Sequence, residues 1–446
     1  MASEHLWMPY SPPGSQGRVL DEIRVLDRGR GCTVWGADGA EYLDGVSALE
    51  AMILGHSARD VIEAIADQAE RVSFIDLFRF TSRPAVELAA ELCAAAPGMQ
   101  YAFFTPGGAE ADEVAIKLAR QYHFLRGEPH RMKVITREGA FHGCTQGAMS
   151  LDGVYFASRN VIYDGGLSWG RTAPAPACAL CDFGKASVHL ACVHSIEATI
   201  RAEGPDTVAA VVVDPMATAI AVAGPPDQYL RDLRAVCDRY GVLLVVDEII
   251  TGMGRTGRLF CVEYSGVQAD IITMSKGLSS GYVPIGATLV APHVSDVFRG
   301  RAEGAFLHGH TYGGHPLAAA AALQVVRRVT RDRLWETAAQ QGDRLLAGLR
   351  SLAGHRYYWD VRGRGLLTGL EIVMDQTTGR RFSNPIAAGN RLRVLCREFG
   401  LITLILHPGN VLFLAPSFVV EDEEIDRMVE IVDRALTVME AEALDY

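Results

Sequence analysis

The 446-residue chain is 49% apolar and 21% charged, the balance of a globular protein with material for roughly two or three domains. A formal net charge of −11 argues against a sequence-independent grip on nucleic acid or an anionic membrane. No apolar run reaches transmembrane length, the start "MASEHLWMPYSPPG" lacks a signal pattern, and nine scattered cysteines fit a reduced, cytoplasmic thiol set.

Residues 1–60 predict a small antiparallel meander, with turns at Ala37–Gly39 and Asp44–Gly45 between short alternating segments. A helix is expected over 58–71, with Val61, Ile62, Ile65 and Ala69 on one face, and another over 84–95, opened by Pro84. From about 101 to 310 the pattern becomes strand, loop, helix. Segments 101–105, 132–136, 207–214, 241–247, 270–274 and 286–291 read as buried strands, with helices such as 189–202 and 227–240 between them. This alternation predicts an α/β layered domain around a mainly parallel sheet. Residues 152–188, rich in Gly, Pro and Ala, read as an irregular functional loop or lid. The last third, with helices from Pro316 and over 421–441 and strands near 366–374 and 410–416, predicts a second, α+β unit.

Four features carry chemistry. The turn at Gly107–Gly108, between a strand and a helix start, suits a phosphate, although a plain tight turn with a helix cap has the same look. Asp247 closes an apolar strand: it is either a cap or a carboxylate that keeps a heterocyclic nitrogen protonated. Lys276 closes the next one: it is either solvated or, beside apolar neighbours, an amine suited to Schiff-base formation. Phe141 is a ring-stacking or core residue, and His142 beside it reads as a hydrogen-bonded histidine rather than a metal ligand. An acid and an amine at the carboxyl ends of parallel strands converge on one ligand, which points to pyridoxal phosphate.

These motifs, with "FFTPGGAEADEVAIKLAR", "LLVVDEIITGMGRTG", "MSKGLSSGYVPIGA" and "FLHGHTYGGHPLAAAAAL", make the chain strongly resemble the class III (ω-amino-acid) aminotransferases of the fold-type-I pyridoxal phosphate family. The resemblance implies a large seven-stranded α/β/α domain (61–315) and a smaller α+β domain built from both termini (1–60 and 316–446). It implies that Lys276 holds the cofactor as a Schiff base and that Asp247 pairs the pyridine nitrogen. Gly107, Gly108 and Ala109 would cradle the phosphate, Phe141 and Ile249 would sandwich the ring, and His142 and Asp214 would complete the cofactor contacts. Thr311 would reach the phosphate of a neighbouring subunit, so a homodimer with shared sites is implied. The expected reaction is ping-pong transfer of an amino group from a primary amine or ω-amino acid to an oxo acid or aldehyde. A racemase, epimerase, aminomutase or decarboxylase of the same fold shares this site. A non-catalytic regulator is the remaining alternative.

Several positions depart from the family pattern. The phosphate turn lacks its usual hydroxyl, and the usual Glu-Pro is Asp214-Pro215. The carboxylate-binding arginine near the C-terminus is replaced by His407 or Phe413, depending on register, which leaves Arg79 as a possible substitute. Glu50 stands where relatives often carry an aromatic pocket residue, and it is expected to meet a polar or cationic part of the substrate. Trp7, in "HLWMPYS", completes the substrate candidates. Cys178, Cys181 and Cys192 lack a second paired-ligand knuckle, so no metal is expected.

Overall fold

The computed structural model describes residues 5–10, 25–153, 163, 169–174, 186–219, 221–222, 224 and 227–442. Three short strands, β1 (Leu26–Arg30), β2 (Thr33–Gly36) and β3 (Glu41–Asp44), form the expected antiparallel meander. Two helices follow, α1 (Arg59–Arg71) and α2 (Arg83–Ala95). On α1, Val61 is fully buried, but Ile62 is 42% exposed, so the buried stripe is narrower than its periodicity predicts.

The central sheet comprises β4 (Tyr101–Thr105), β5 (Lys133–Arg137), β6 (Gly170–Ala173), β7 (Val208–Val213), β8 (Leu243–Asp247), β9 (Ile271–Met274) and β10 (Gly286–Val290). Its order is β4-β10-β9-β8-β7-β5-β6. Only β10 runs against the direction of the other six strands. The strands β7, β8 and β9 are buried along their whole length because both faces are covered. Val212, Val245 and Ile271 pack on the side of α3 (Gly108–Leu125), while Val211, Leu244 and Ile272 pack on the side of α4 (Ala186–Glu203) and α5 (Gln228–Tyr240). Each such residue is worth roughly 1.5–3 kcal/mol of burial. The strand β6 lies within the stretch expected to be irregular. Its sequence, Gly-Arg-Thr-Ala, has no apolar run because it is an edge strand bonded only to β5.

Beyond the sheet come α6 (Pro316–Arg331) and α7 (Leu334–Ser351), then β11 (Tyr358–Gly363) and β12 (Thr368–Ile372). The chain ends with α8 (Pro385–Glu398), β13 (Leu401–Ile402), β14 (Leu404–Leu406), β15 (Val411–Leu414) and α9 (Asp422–Ala441). The order β11-β12-β15-β14 makes an antiparallel sheet. Strand β13 instead pairs in parallel with β3, Leu401 opposite Leu43, so the C-terminal part completes the N-terminal meander. This is the fold-type-I architecture expected from the sequence. Among the described residues no helix is long and apolar enough to cross a membrane.

Candidate active site

Strands β8 and β9 are parallel neighbours, with Asp247 opposite Thr273. That register brings the two strand ends together, and Asp247 and Lys276 line the same cleft. Asp247 is 5% exposed. Its Oδ1 accepts from the Ile249 amide at 2.9 Å and its Oδ2 lies 2.7 Å from His142 Nδ1. His142 Nε2 lies 3.1 Å from Thr136 Oγ1, and the His142 amide donates to Asp152 Oδ1 at 2.7 Å. Burial disfavours charge on His142, but the Asp247 bond and the charges of Asp247, Asp112 and Asp214 outweigh it and raise the imidazole pKa to about 9. The imidazole of the pair is therefore charged at neutral pH.

Opposite lies the start of α3. No side chain caps its first turn, so the free backbone N–H groups and the helix dipole are open to an anion. A Cβ on Gly108 would stand 2.9 Å from Ile249 Cδ1, so glycine is what lets this turn close against Ile249. Phe141, Ala109, Asp214, Ile249 and Ser275 line the same cleft. The Asp214 carboxylate is held by Arg137, Nη2 to Oδ1 at 2.7 Å.

Lys276 sits just beyond β9 with a positive φ of 45°. Its Nζ donates to Glu50 Oε2 at 2.5 Å. Glu50 is delivered by an unusual turn: Ser47, Ala48, Leu49 and Glu50 all have φ between 46° and 71°. A left-handed turn of L-residues costs roughly 1–2 kcal/mol per residue, so it persists only if its surroundings over-determine it. They do so here. Asp44 accepts from the Val46 and Ala48 amides at 3.2 and 2.8 Å, and Ser47 Oγ donates to Ala415 O at 2.6 Å. The fully buried Arg255 donates to the carbonyls of Glu50 (3.2 Å), Ala415 (3.1 Å) and Pro416.

The aminotransferase class-III family model matches residues 16–436. The chain belongs to this family. It is 35% identical over 440 residues to an adenosylmethionine-8-amino-7-oxononanoate aminotransferase from Nitratidesulfovibrio vulgaris, covering 97% of this chain and 80% of that one. A thermostable (S)-enantioselective omega-transaminase from Thermomicrobium roseum superposes with a TM-score of 0.89 at 37% identity, over 98% of this chain and 96% of that one. A pyridoxal phosphate-bound amine transaminase from an uncultivated Pseudomonas species superposes with a TM-score of 0.89 at 31% identity, over 98% and 99%. This class-III aminotransferase is accordingly a pyridoxal phosphate enzyme, and the site's chemistry fits that group. It offers an uncapped helix start for a phosphate, a buried carboxylate at the floor and a primary amine at the wall.

The remaining sequence candidates are dispersed. Thr311 is exposed in the turn before α6. Arg79 is a surface residue paired with Asp76 at 3.1 Å. Trp7 is 68% exposed. His407 is half-buried at the end of β14, where burial lowers its pKa. Phe413 is not among the residues that line the cleft: it is 1% exposed and packs with Val46, Leu367 and the cleft-lining Met216, because its position on β15 faces inward. Cys178 and Cys181 lie outside the described residues, and Cys192 is buried.

Sequence reasoning missed Asp112. It is 1% exposed, and neither carboxyl oxygen has a hydrogen-bond partner among the described residues. Its carboxyl, His142 and Asp247 present polar atoms within 4.8 Å of one another. Burial, and then the Asp247 charge, push its pKa well above the ordinary carboxyl value. The signal was available: Asp112 shares its helix face with Ala115, Ile116 and Ala119, all buried. Arg137 was missed too, although it ends β5 as Asp214 follows β7, and those strands are paired.

Proposed function

We propose that Lys276 is the amine that holds pyridoxal phosphate and shuttles the proton, and that Asp247 is the carboxylate facing the ring nitrogen. The observation that carries this reading is the convergence of both residues on one cleft with the uncapped start of α3. Bound there, the cofactor supplies a protonated heteroaromatic ring that takes up the electron pair released at the amine-bearing carbon. Gly107, Gly108 and Ala109 offer backbone N–H groups to its phosphate. Phe141 and Ile249, which line the cleft, would flank the ring, and Asp214 would border it. His142 holds the Asp247 carboxyl in place through the 2.7 Å bond. The Lys276 amine takes the proton from the amine-bearing carbon of the substrate and later returns one, so a single group acts as base and acid.

The donor in this reading is a primary amine or ω-amino acid, in line with the omega- and amine-transaminase names of the similar structures. The acceptor is an oxo acid or aldehyde, bound in a second half-reaction. We also infer a cytoplasmic homodimer in which Thr311 reaches the partner's phosphate site. The support is an exposed surface at and near Thr311 that includes Leu307 (94% exposed), Tyr312 and Phe78. The direct test is the visible absorbance of the purified protein. Lys276→Ala should remove the band of the covalently held cofactor, and a band that persists unchanged in the variant would defeat the assignment.

A further inference from the structure

The Lys276–Glu50 pair joins a cleft-lining amine to a carboxylate behind it, a contact that the reaction itself does not require. Glu50 is 6% exposed, and among the described residues its carboxylate has one hydrogen-bond partner, Lys276 Nζ at 2.5 Å. Arg255 also approaches, but its Nη2 donates to the Glu50 backbone carbonyl and not to the carboxylate. The left-handed turn over Ser47–Glu50 holds this carboxylate at the amine, and Asp44, Ser47 and Arg255 anchor the turn.

Once the Lys276 amine is engaged with the cofactor, the Glu50 carboxylate loses its one hydrogen-bonded cation, and the buried Arg255, bonded to the Glu50 carbonyl, is the charge that stays beside it. A buried carboxylate without a partner is strongly disfavoured, so the site then calls for another cation at the same place. The incoming amine reacts where the lysine nitrogen stood, which puts the groups on its reacting carbon next to Glu50. A carboxylate on that carbon would meet a like charge, whereas a substrate with a second ammonium group would meet an opposite one. The cationic side chains lining the described cleft are Lys276 and the Asp247-bound His142, and Arg255, which bonds the Glu50 carbonyl from behind the turn, is not among the lining residues.

We propose that Glu50 is a specificity-determining carboxylate that disfavours donors with a carboxylate on the reacting carbon and favours diamines. The proposal rests on the assignment of Lys276 as the cofactor amine.

The test compares the holoenzyme with Glu50→Gln and Glu50→Asp. Half-reactions with 1,4-diaminobutane and with L-alanine are followed by the visible cofactor band, and binding of propionate, which carries a carboxylate but no amine, is followed by calorimetry. In Glu50→Gln the diamine-to-alanine rate ratio should fall by about 10-fold or more and propionate should bind several-fold tighter, as expected on removing a close like charge. Glu50→Asp, which keeps the charge, should stay near the wild-type ratio. An unchanged ratio together with unchanged propionate affinity in Glu50→Gln overturns the proposal. If no amine reacts, propionate binding still decides the role of Glu50, while the Lys276→Ala spectrum separately decides the cofactor assignment.

Discussion

His142 Nδ1 lies 2.7 Å from Asp247 Oδ2, with neither side chain more than 5% exposed. A buried pair of this kind ties the stability of the fold to pH through the imidazole. The His142 pKa is raised from 6.5 to about 9. A raised histidine contributes stability that is complete below its unfolded pKa and is lost as pH climbs through the folded one. The melting temperature should therefore decline between about pH 6.5 and 9. His142→Gln should flatten this slope, and a variant with an undiminished slope would show that other groups carry it.

Asp112 has the opposite sign. A carboxyl whose pKa is raised by burial weakens folding wherever the unfolded chain would ionise it, that is, above its ordinary value of 3.8. Asp112→Asn should raise the melting temperature at neutral pH, and the gain should shrink towards pH 3.8. A loss of stability at neutral pH would mean that the carboxyl is ionised and paired.

Arg255 clamps the Glu50 turn to the carbonyls of Ala415 and Pro416. Arg255→Ala should cost about 3–5 kcal/mol in denaturant unfolding, because it strands several buried carbonyls at once. Arg255→Lys should recover only part of this loss, since an ammonium cannot reproduce the planar fork. Full recovery by lysine would leave charge alone as the requirement.

Asp247→Asn is nearly isosteric but cannot hold a proton on a ring nitrogen. Cofactor should remain bound while turnover falls by about 100-fold or more, the scale of a lost proton-handling group. Thr311→Ala should instead weaken cofactor retention, measured by dialysis and absorbance, with little effect on turnover at saturating cofactor. If Thr311→Ala leaves retention unchanged, its reach across the dimer is wrong.

The central sheet was readable from the sequence because β7, β8 and β9 are continuous apolar runs, each stopping at a turn or a charge. Asp247 and Lys276 were readable for the same reason: each follows such a run. Strand β6 was hidden because an edge strand needs no apolar pattern, and the burial of Phe413 was hidden because family register does not reveal which face of β15 looks inward. The Lys276–Glu50 contact was not legible as a contact. It depends on a left-handed turn built from Ser, Ala, Leu and Glu, residues with no intrinsic preference for that conformation, held by groups from residues 255 and 415.

The pairing of Leu401 with Leu43 has a consequence for biosynthesis. The meander that carries Glu50 emerges from the ribosome early, yet β13 and the Ala415 and Pro416 carbonyls that secure it emerge only near the end of translation. The large sheet has all its strands by Val290. The nascent chain therefore has the strands that position Asp247 and Lys276 well before the turn that holds Glu50 is fastened, and a truncation short of residue 401 would leave that turn loose.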